Sequence, residues 1–378
     1  MIYLDNAATT VMSEVALNAL IEISSDIYGN PSSVYGFGRK AKKILEKSRK
    51  IIADCIGAEP EEIYFTSCGT ESNNWAVKQT TDIIPRAIVS QVEHHAILHP
   101  VMQCQKKGCE IKYANVRSDG IVDIEEFKML LDGSQTFVSV MLQNNETGVI
   151  QPIRELARLT HCDNEKSIFH TDAVQAIGHM SINVKELGID MLSASAHKFN
   201  GPKGVGFLYI DKRCAISPLL SGGGQEQGKR SGTENVAGIY SMAKALEDNV
   251  KNMENIKLHI LNLEELLLER LSHEKIVFNI NGNSKHRAIG IINIEIEGID
   301  GEGLMNMLDM HNICISVGSA CNSKSKKRSH VLKAMGIDEQ KIDSSVRISI
   351  GRTNTSEDII KLVDEIKRYY ELSRITAK

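Results

Sequence analysis

No run of about 20 consecutive apolar residues occurs in this chain, which excludes a membrane-spanning helix of ordinary length. Met1 to Thr10 lacks both a basic segment and an apolar stretch of signal length, so a soluble cytoplasmic protein with no membrane attachment is expected. Charge of one sign is not in excess: 44 Lys and Arg against 48 Asp and Glu give a formal net charge of -4. That balance provides none of the positive field that direct nucleic-acid binding uses. CxxC pairs are missing, which argues against zinc knuckles and thioredoxin-type chemistry, and eight cysteines in 378 residues are too sparse for a small secreted disulfide scaffold. Most of them, Cys55, Cys104, Cys109, Cys162, Cys214 and Cys314, therefore read as small buried thiols, with Cys68 less settled because of its place near a helix start. Repeats and low-complexity segments are also absent. What remains is a globular chain of a length that suits two domains.

The pattern of what is present is α/β. Short apolar runs at Arg86 to Val92, Thr136 to Leu142, Ser167 to His170 and Gly204 to Ile210 alternate with segments of helical period, as in βαβ units around a mainly parallel sheet. Ala237 to Leu271 carries Ile256, Ile260, Leu263, Leu267 and Leu271 at helical spacing and reads as one or two long helices bridging two domains. After it come a strand pair, Ala288 to Glu297 and Asn312 to Ser316, with a helix Glu302 to Met310 between them. A last helix from about Ser356 to Leu372 has Thr355 and Ser356 as candidate caps. This C-terminal part reads as a smaller α+β domain.

Chemistry first shows at Lys198, in Ser195-Ala196-His197-Lys198-Phe199-Asn200-Gly201-Pro202, directly before a turn and a buried strand. A desolvated lysine there is able to form a Schiff base, although taken alone it reads rather as a surface lysine on a loop. Upstream, Asp172 ends a short apolar strand in His170-Thr171-Asp172-Ala173-Val174-Gln175, the position where α/β sheets present ligand groups. An acid there suits a pyridinium nitrogen, and its plainer role is a helix cap.

These two segments together resemble the NifS/IscS class of cysteine desulfurases, within the fold-type-I enzymes that use pyridoxal 5'-phosphate (PLP). Further pieces agree in order: Tyr3-Leu4-Asp5-Asn6-Ala7-Ala8-Thr9-Thr10, Gly29-Asn30-Pro31-Ser32-Ser33, Phe65 to Asn74, Asn144-Asn145-Glu146-Thr147-Gly148 and Arg230-Ser231-Gly232-Thr233. The resemblance runs from residue 3 to about residue 352. It implies a large domain, residues 13–250, with a mainly parallel seven-stranded sheet, and a small domain formed by residues 1–12 and 251–378. It implies that Lys198 carries the cofactor and moves protons, that Asp172 holds the ring nitrogen, that Gln175 meets the ring hydroxyl, and that His94 stacks on the ring and takes part in acid–base steps. Gly69 and Thr70 open a helix suited to the phosphate, joined there by Ser195 and His197. Thr233 resembles a residue lent by a second subunit, which implies a homodimer.

Two other patterns in the chain are decoys. His95 and His99 have the i, i+4 spacing of metal ligands, but Ala96 stands where a zinc-protease helix carries Glu, so no metal is expected. Gly223 to Lys229 begins like a phosphate-binding loop, yet Arg230 replaces the Ser or Thr that would hold magnesium.

Cys321 sits in Ser316-Val317-Gly318-Ser319-Ala320-Cys321-Asn322-Ser323, a small and polar stretch that suits a mobile loop, and Lys324, Lys326, Lys327 and Arg328 follow within seven residues. Nearby cations favour a thiolate. Cys321 matches the family's nucleophile, which takes the sulfur of L-cysteine as a persulfide while alanine leaves. Arg347 resembles the bidentate clamp for the substrate carboxylate, with Asn145 as second contact; its plainer role is a salt bridge at a strand end. Tyr35 stands where relatives have His, and the basic Lys324 to Arg328 stretch replaces a Gly- and Pro-containing one, which points to an acidic sulfur acceptor. The expected acceptor is an iron–sulfur scaffold or a thiolation enzyme. The competing readings are a selenocysteine lyase, an aminotransferase-like PLP enzyme, for which a nucleophilic cysteine would be superfluous, and a non-catalytic sulfur carrier.

Overall fold

A computed structural model describes residues 1–318 and 328–376. Along the chain the strands are β1 (Ile2–Tyr3), β2 (Ile63–Thr66), β3 (Arg86–Ser90), β4 (Glu110–Ala114), β5 (Phe137–Ser139), β6 (Ile168–Asp172), β7 (Met191–Ser195), β8 (Gly206–Ile210), β9 (Phe278–Ile280), β10 (Ile291–Ile296), β11 (Ile313–Cys314) and β12 (Ser345–Ser349).

Strands β2 to β8 form a seven-stranded sheet in the order β2-β8-β7-β6-β5-β3-β4. Pairing is parallel from β4 through β3, β5 and β6 to β7, and antiparallel between β7 and β8 and between β8 and β2. Both faces are covered, which is why these strands are buried along their length, except for the edge strand β4 with its Glu110 and Lys112. Ile63, Phe65, Ile88, Val138, Phe169, Leu192 and Phe207 turn to one core, together with Leu45, Ile52 and Leu156 from helices Gly36–Ile56 and Ile153–Asp163. The intervening Tyr64, Ala87, Val89, Phe137, Ile168, Met191 and Leu208 turn to the other, against Trp75 and Val77 of helix Gly69–Thr81 and Ile97 and Val101 of helix His95–Lys106. A period of two thus feeds two helical layers.

A second core surrounds the antiparallel sheet β12-β10-β9, with Ile292, Ile294, Ile296, Val346 and Ile348 facing Ile359, Leu362, Val363 and Ile366 of the final helix, Ser356–Thr376. That helix starts with a reciprocal cap: Asp358 N donates to Thr355 Oγ1 at 3.3 Å and Thr355 N to Asp358 Oδ2 at 3.0 Å. One unbroken helix, Val236–His273, joins the two cores: Ile239, Met242 and Leu246 pack on the first, Ile260, Leu263, Leu267 and Leu271 on the second. The boundary expected at residue 250 therefore falls within a helix. Among the described residues no helix is long and apolar enough to cross a membrane.

Two expectations need correction. Residues 288–297 and 312–316 do contain strands, but these do not pair with each other; β10 lies between β9 and β12, and β11 pairs in parallel with the N-terminal β1. A two-residue β11 makes too few bonds to show its partner in the local sequence, and that partner lies at the opposite end of the chain. Cys162 is exposed, not buried. Helix Ile153–Asp163 buries Ile153, Leu156, Ala157 and Thr160, a stripe that leaves Cys162 on the opposite side.

Candidate active site

The first sheet directs its chemistry to one edge. In β3, β5, β6 and β7, which run in the same direction, the carboxyl ends are followed by Glu93 and His94, by Asn144 and Asn145, by Asp172 itself, and by Ser195 to Lys198. Two antiparallel steps bring β2 back to that direction, so the helix that starts at Gly69 opens on the same edge. Ligands of open α/β sheets bind outside this edge.

Asp172 is 4% exposed. Asn73 Nδ2 donates to its Oδ2 at 2.6 Å and Val174 N to its Oδ1 at 2.9 Å. Asn73 comes from the same helix as Gly69 and ties that helix to the acid. Lys198 ends the single turn Ala196–Lys198, and its Nζ donates to Ala7 O at 2.6 Å and Ala8 O at 2.8 Å. Next to it Gln175 Nε2 donates to the same Ala7 carbonyl at 2.8 Å. The lysine turn is held by its backbone: His179 Nε2 donates to Lys198 O at 2.8 Å and Asn249 Nδ2 to Phe199 O at 2.6 Å. Asn200 takes the left-handed conformation (φ 63°) that asparagine accepts more readily than other side chains, and its Nδ2 reaches Val11 O at 2.9 Å.

A cradle for an anion lies beside these groups. Cys68 precedes helix Gly69–Thr81 without a side-chain cap, so the first amides of Gly69 and Thr70 keep their donors and the positive end of the helix dipole faces outward. A Cβ on Gly69 would lie 2.6 Å from Val174 Cγ2 and 3.4 Å from Ser195 Cβ, so only glycine fits there. The Ser195 hydroxyl is buried and lacks a hydrogen-bond partner among the described residues, an arrangement that asks for a ligand oxygen. His197 Nδ1 lies 3.1 Å from Thr9 Oγ1; burial first, then the charges of Lys198 and Lys203, push its pKa down to about 4. Together these donors suit a phosphate group, placed beside the amine of Lys198 and the buried carboxyl of Asp172.

His94 caps helix His95–Lys106, its Nδ1 accepting from Ala96 N at 3.1 Å. A neutral ring with Nδ1 as acceptor carries its hydrogen on Nε2, so Nε2 is the proton-bearing edge. The preceding Glu93 escaped sequence reasoning. Completely buried, it accepts from Met141 N at 2.6 Å through Oε1, and burial, with the charge of Asp172 second, raises its carboxyl far above the usual range. Burial thus favours the protonated form of this carboxyl behind the site. His330 Nε2 donates to the Glu93 carbonyl at 2.9 Å. His95 and His99 stack ring on ring at 4.8 Å, and His330 leans on His95 at the same distance.

Arg347, in β12, is 1% exposed. Its Nη1 donates to the backbone carbonyl of Asn145 at 2.9 Å and its Nη2 to Asp5 Oδ1 at 2.7 Å, while Nε is buried without an acceptor among the described residues. Asn145 thus meets the guanidinium through its carbonyl. Asp5 was not singled out by sequence reasoning, although it sits in the Tyr3 to Thr10 segment. Thr233 is exposed and bonds to no other site residue among those described. Its loop is braced by Arg230 Nε to Glu71 Oε1 at 2.7 Å and by Arg49 Nη2 to Glu226 Oε1 at 2.6 Å, the last inside the Gly223 to Lys229 run. Cys321 and Lys324 to Lys327 lie outside the described residues. The chain on either side of them does not: Ser316 exchanges two backbone bonds with Arg347 (3.1 and 2.7 Å), and Ser329 Oγ donates to the buried carboxylate of Glu146.

Two desolvated imidazoles, the buried His170 and the half-buried His197, make the fold acid-sensitive. Burial pushes His170, between Ser139 Oγ and Ser193 Oγ at 2.9 Å each, down to about 3, and His197 stands at about 4. Unfolded, both protonate near 6.5, so below that pH the unfolded chain binds more protons and stability falls as pH drops toward about 3. Chemical denaturation at pH 7, 5.5 and 4.5 is expected to give midpoints that decrease in that order. A His170→Asn variant should show a shallower decrease; an equally steep one would mean that other groups dominate.

The aminotransferase class-V family profile matches residues 2–362. Cysteine desulfurase IscS of Methanosarcina thermophila is 42% identical, over 100% of this chain and 95% of that protein. The fold superposes on a NifS-like protein with a TM-score of 0.92 at 36% identity, over 98% of this chain and 99% of that one. It also superposes on a structure described as SspA in complex with cysteine, with a TM-score of 0.83 at 30% identity, over 94% and 100% of the two chains.

Proposed function

Because this chain belongs to the aminotransferase class-V family, within the fold-type-I enzymes, and to its IscS/NifS cysteine desulfurases, we propose that it takes sulfur from L-cysteine, carries it as a persulfide on Cys321 and releases L-alanine. The observation that carries this reading is the convergence of Asp172, Lys198 and the uncapped Gly69 helix on one sheet edge, with a buried arginine supplied by the second core.

The residues fit PLP, which when bound supplies an electron sink conjugated to the substrate α-carbon. Lys198 would hold it covalently, Asp172 would keep the ring nitrogen protonated, and Gln175 would face the ring oxygen. The amides of Gly69 and Thr70, with Ser195 and His197, would bind the phosphate; Ser195 has the vacant hydroxyl, and His197, depressed to about 4, meets it as a neutral donor. Arg347 and Asn145 place the substrate carboxylate. Lys198 would move the proton at the α-carbon, and His94, whose Nδ1 is engaged by Ala96 N, would serve the acid–base steps through Nε2. Cys321 attacks as thiolate: a sulfur–sulfur bond forms, the substrate carbon–sulfur bond breaks, the β-carbon is reduced to a methyl group, and the Cys321 sulfur is oxidised to persulfide.

In this reading residues 13–250 form the cofactor domain, and residues 1–12 with 251–378 bring the clamp and the nucleophile. The exposed, braced Thr233 completes the phosphate site of a second copy, which makes the working unit a homodimer in the cytoplasm. The PLP-loaded protein, given L-cysteine and a reducing thiol, is expected to form alanine and sulfide in equal amounts; sulfide without alanine, or neither, would overturn the assignment. The persulfide passes to an acceptor protein, an iron–sulfur scaffold or a thiolation enzyme, and the cations Lys324, Lys326 and Lys327 favour an acidic one, whereas Arg328 is already paired with Asp343 and Glu339. Reversing Lys326 and Lys327 to glutamate should slow transfer to such an acceptor by about tenfold and leave sulfide release to a small thiol unchanged. Equal transfer by both proteins would remove the basic stretch from partner choice.

A further inference from the structure

Arg347 stands on β12 of the second core, and Lys198 follows β7 of the first sheet. An α-amino acid carries its carboxylate and its amine on the same carbon, so the guanidinium and the site amine must keep a fixed register although they come from different cores. One short segment touches both. At one end Asp5 forms a β-bridge with Ser349, Ser349 N donates to Leu4 O at 2.7 Å, and Ala7 N donates to Ser349 Oγ at 2.9 Å. At the other end Ala7 O and Ala8 O receive Lys198 Nζ at 2.6 and 2.8 Å, and Thr10 Oγ1 donates to His197 O at 2.9 Å. Four residues therefore span from the clamp to the lysine.

We propose that Asp5 is the positioning residue of the substrate-carboxylate site: its side chain sets the orientation of Arg347, and its place in the strap fixes that orientation against Lys198. The proposal rests on the reading of Arg347 as the carboxylate clamp. The pair is largely buried, with side-chain exposures of 2% for Arg347 and 16% for Asp5 at a separation of 2.7 Å, so it is not a solvated surface ion pair. Asp5 takes one hydrogen of Nη2 and Asn145 O one of Nη1, leaving Nε as a buried donor with no acceptor among the described residues. Buried donors of this kind are rare unless a ligand meets them, and a charged donor left unpaired is costly. Held at both terminal nitrogens, the guanidinium is fixed in one orientation, which leaves its remaining hydrogens preset for a substrate carboxylate.

The test compares two ligands that differ by the carboxylate alone. L-Alanine and ethylamine are titrated into PLP-loaded wild type, Asp5→Ala and Asp5→Asn, and the visible absorbance of the cofactor reports binding. Asp5→Ala is expected to weaken L-alanine by about tenfold or more, the scale of a charge-assisted hydrogen bond, and to change ethylamine by less than about twofold. Asp5→Asn, which keeps an acceptor of the same size, should recover much of the difference. Equal weakening of both ligands would mean general damage to the site, and no change in either would mean that Arg347 needs no partner; both results overturn the proposal. Wild type that binds both amines equally would instead overturn the clamp itself.

Discussion

Lys198→Ala is expected to abolish alanine formation from L-cysteine, a loss of about a thousandfold or more, because the variant loses both the covalent hold on the cofactor and the amine that moves the α-proton. The variant should remain folded. The side chain contributes hydrogen bonds to two carbonyls, Ala7 O and Ala8 O, whereas the turn that carries it is held by its backbone through His179 and Asn249. A far-ultraviolet spectrum and a melting temperature close to wild type, together with a missing visible absorbance, would separate lost chemistry from lost structure. Retention of more than about a tenth of the activity would exclude Lys198 as the proton carrier.

Cys321→Ser is expected to keep the visible absorbance and to lose at least about a hundredfold in alanine formation, since a hydroxyl is neither thiolate nor acceptor of a second sulfur. The reason this effect should fall on sulfur removal and spare cofactor binding lies in the placement of the flanking chain. Ser316 is paired with Arg347, and Ser329 with Glu146, next to the Asn145 carbonyl that receives Arg347. The stems of the Cys321 segment thus stand at the carboxylate side of the site, and the groups that suit the cofactor, Asp172, Gly69, Ser195 and Lys198, come from the first sheet. In single-turnover experiments Cys321→Ser should still bind L-cysteine with an absorbance change. Loss of that change would place Cys321 in binding rather than in sulfur removal.

Local chemistry made part of this architecture readable before any fold was known. Strands buried on both faces are continuous apolar runs, so β3, β5, β6 and β8 stand out, and Val236–His273 shows its helical period over many turns. Asp172 is visible because it ends an apolar strand, and Lys198 because it stands directly before a turn and the buried strand β8. The pairing of β1 with β11 and the contact of Asp5 with Arg347 are not visible, because each joins residues more than 300 positions apart through very short elements. Glu93 was hidden for another reason. Its full burial, and the upward shift of its carboxyl that follows, depend on what surrounds it, and beside His94 in the sequence it resembles any exposed glutamate. Asn73 likewise acquires meaning only when helix Gly69–Thr81 turns it toward Asp172.

The central claim is that sulfur moves from L-cysteine to Cys321, and the mass of the Cys321 peptide tests it directly. PLP-loaded protein is treated with L-cysteine without a reducing thiol, blocked with an alkylating agent, digested and weighed. The account predicts one additional sulfur atom on the peptide that contains Cys321, in proportion to the alanine released, and on none of the peptides that carry the other seven cysteines. Alanine formed while the Cys321 peptide keeps its original mass, or the added sulfur found on another cysteine, would contradict it.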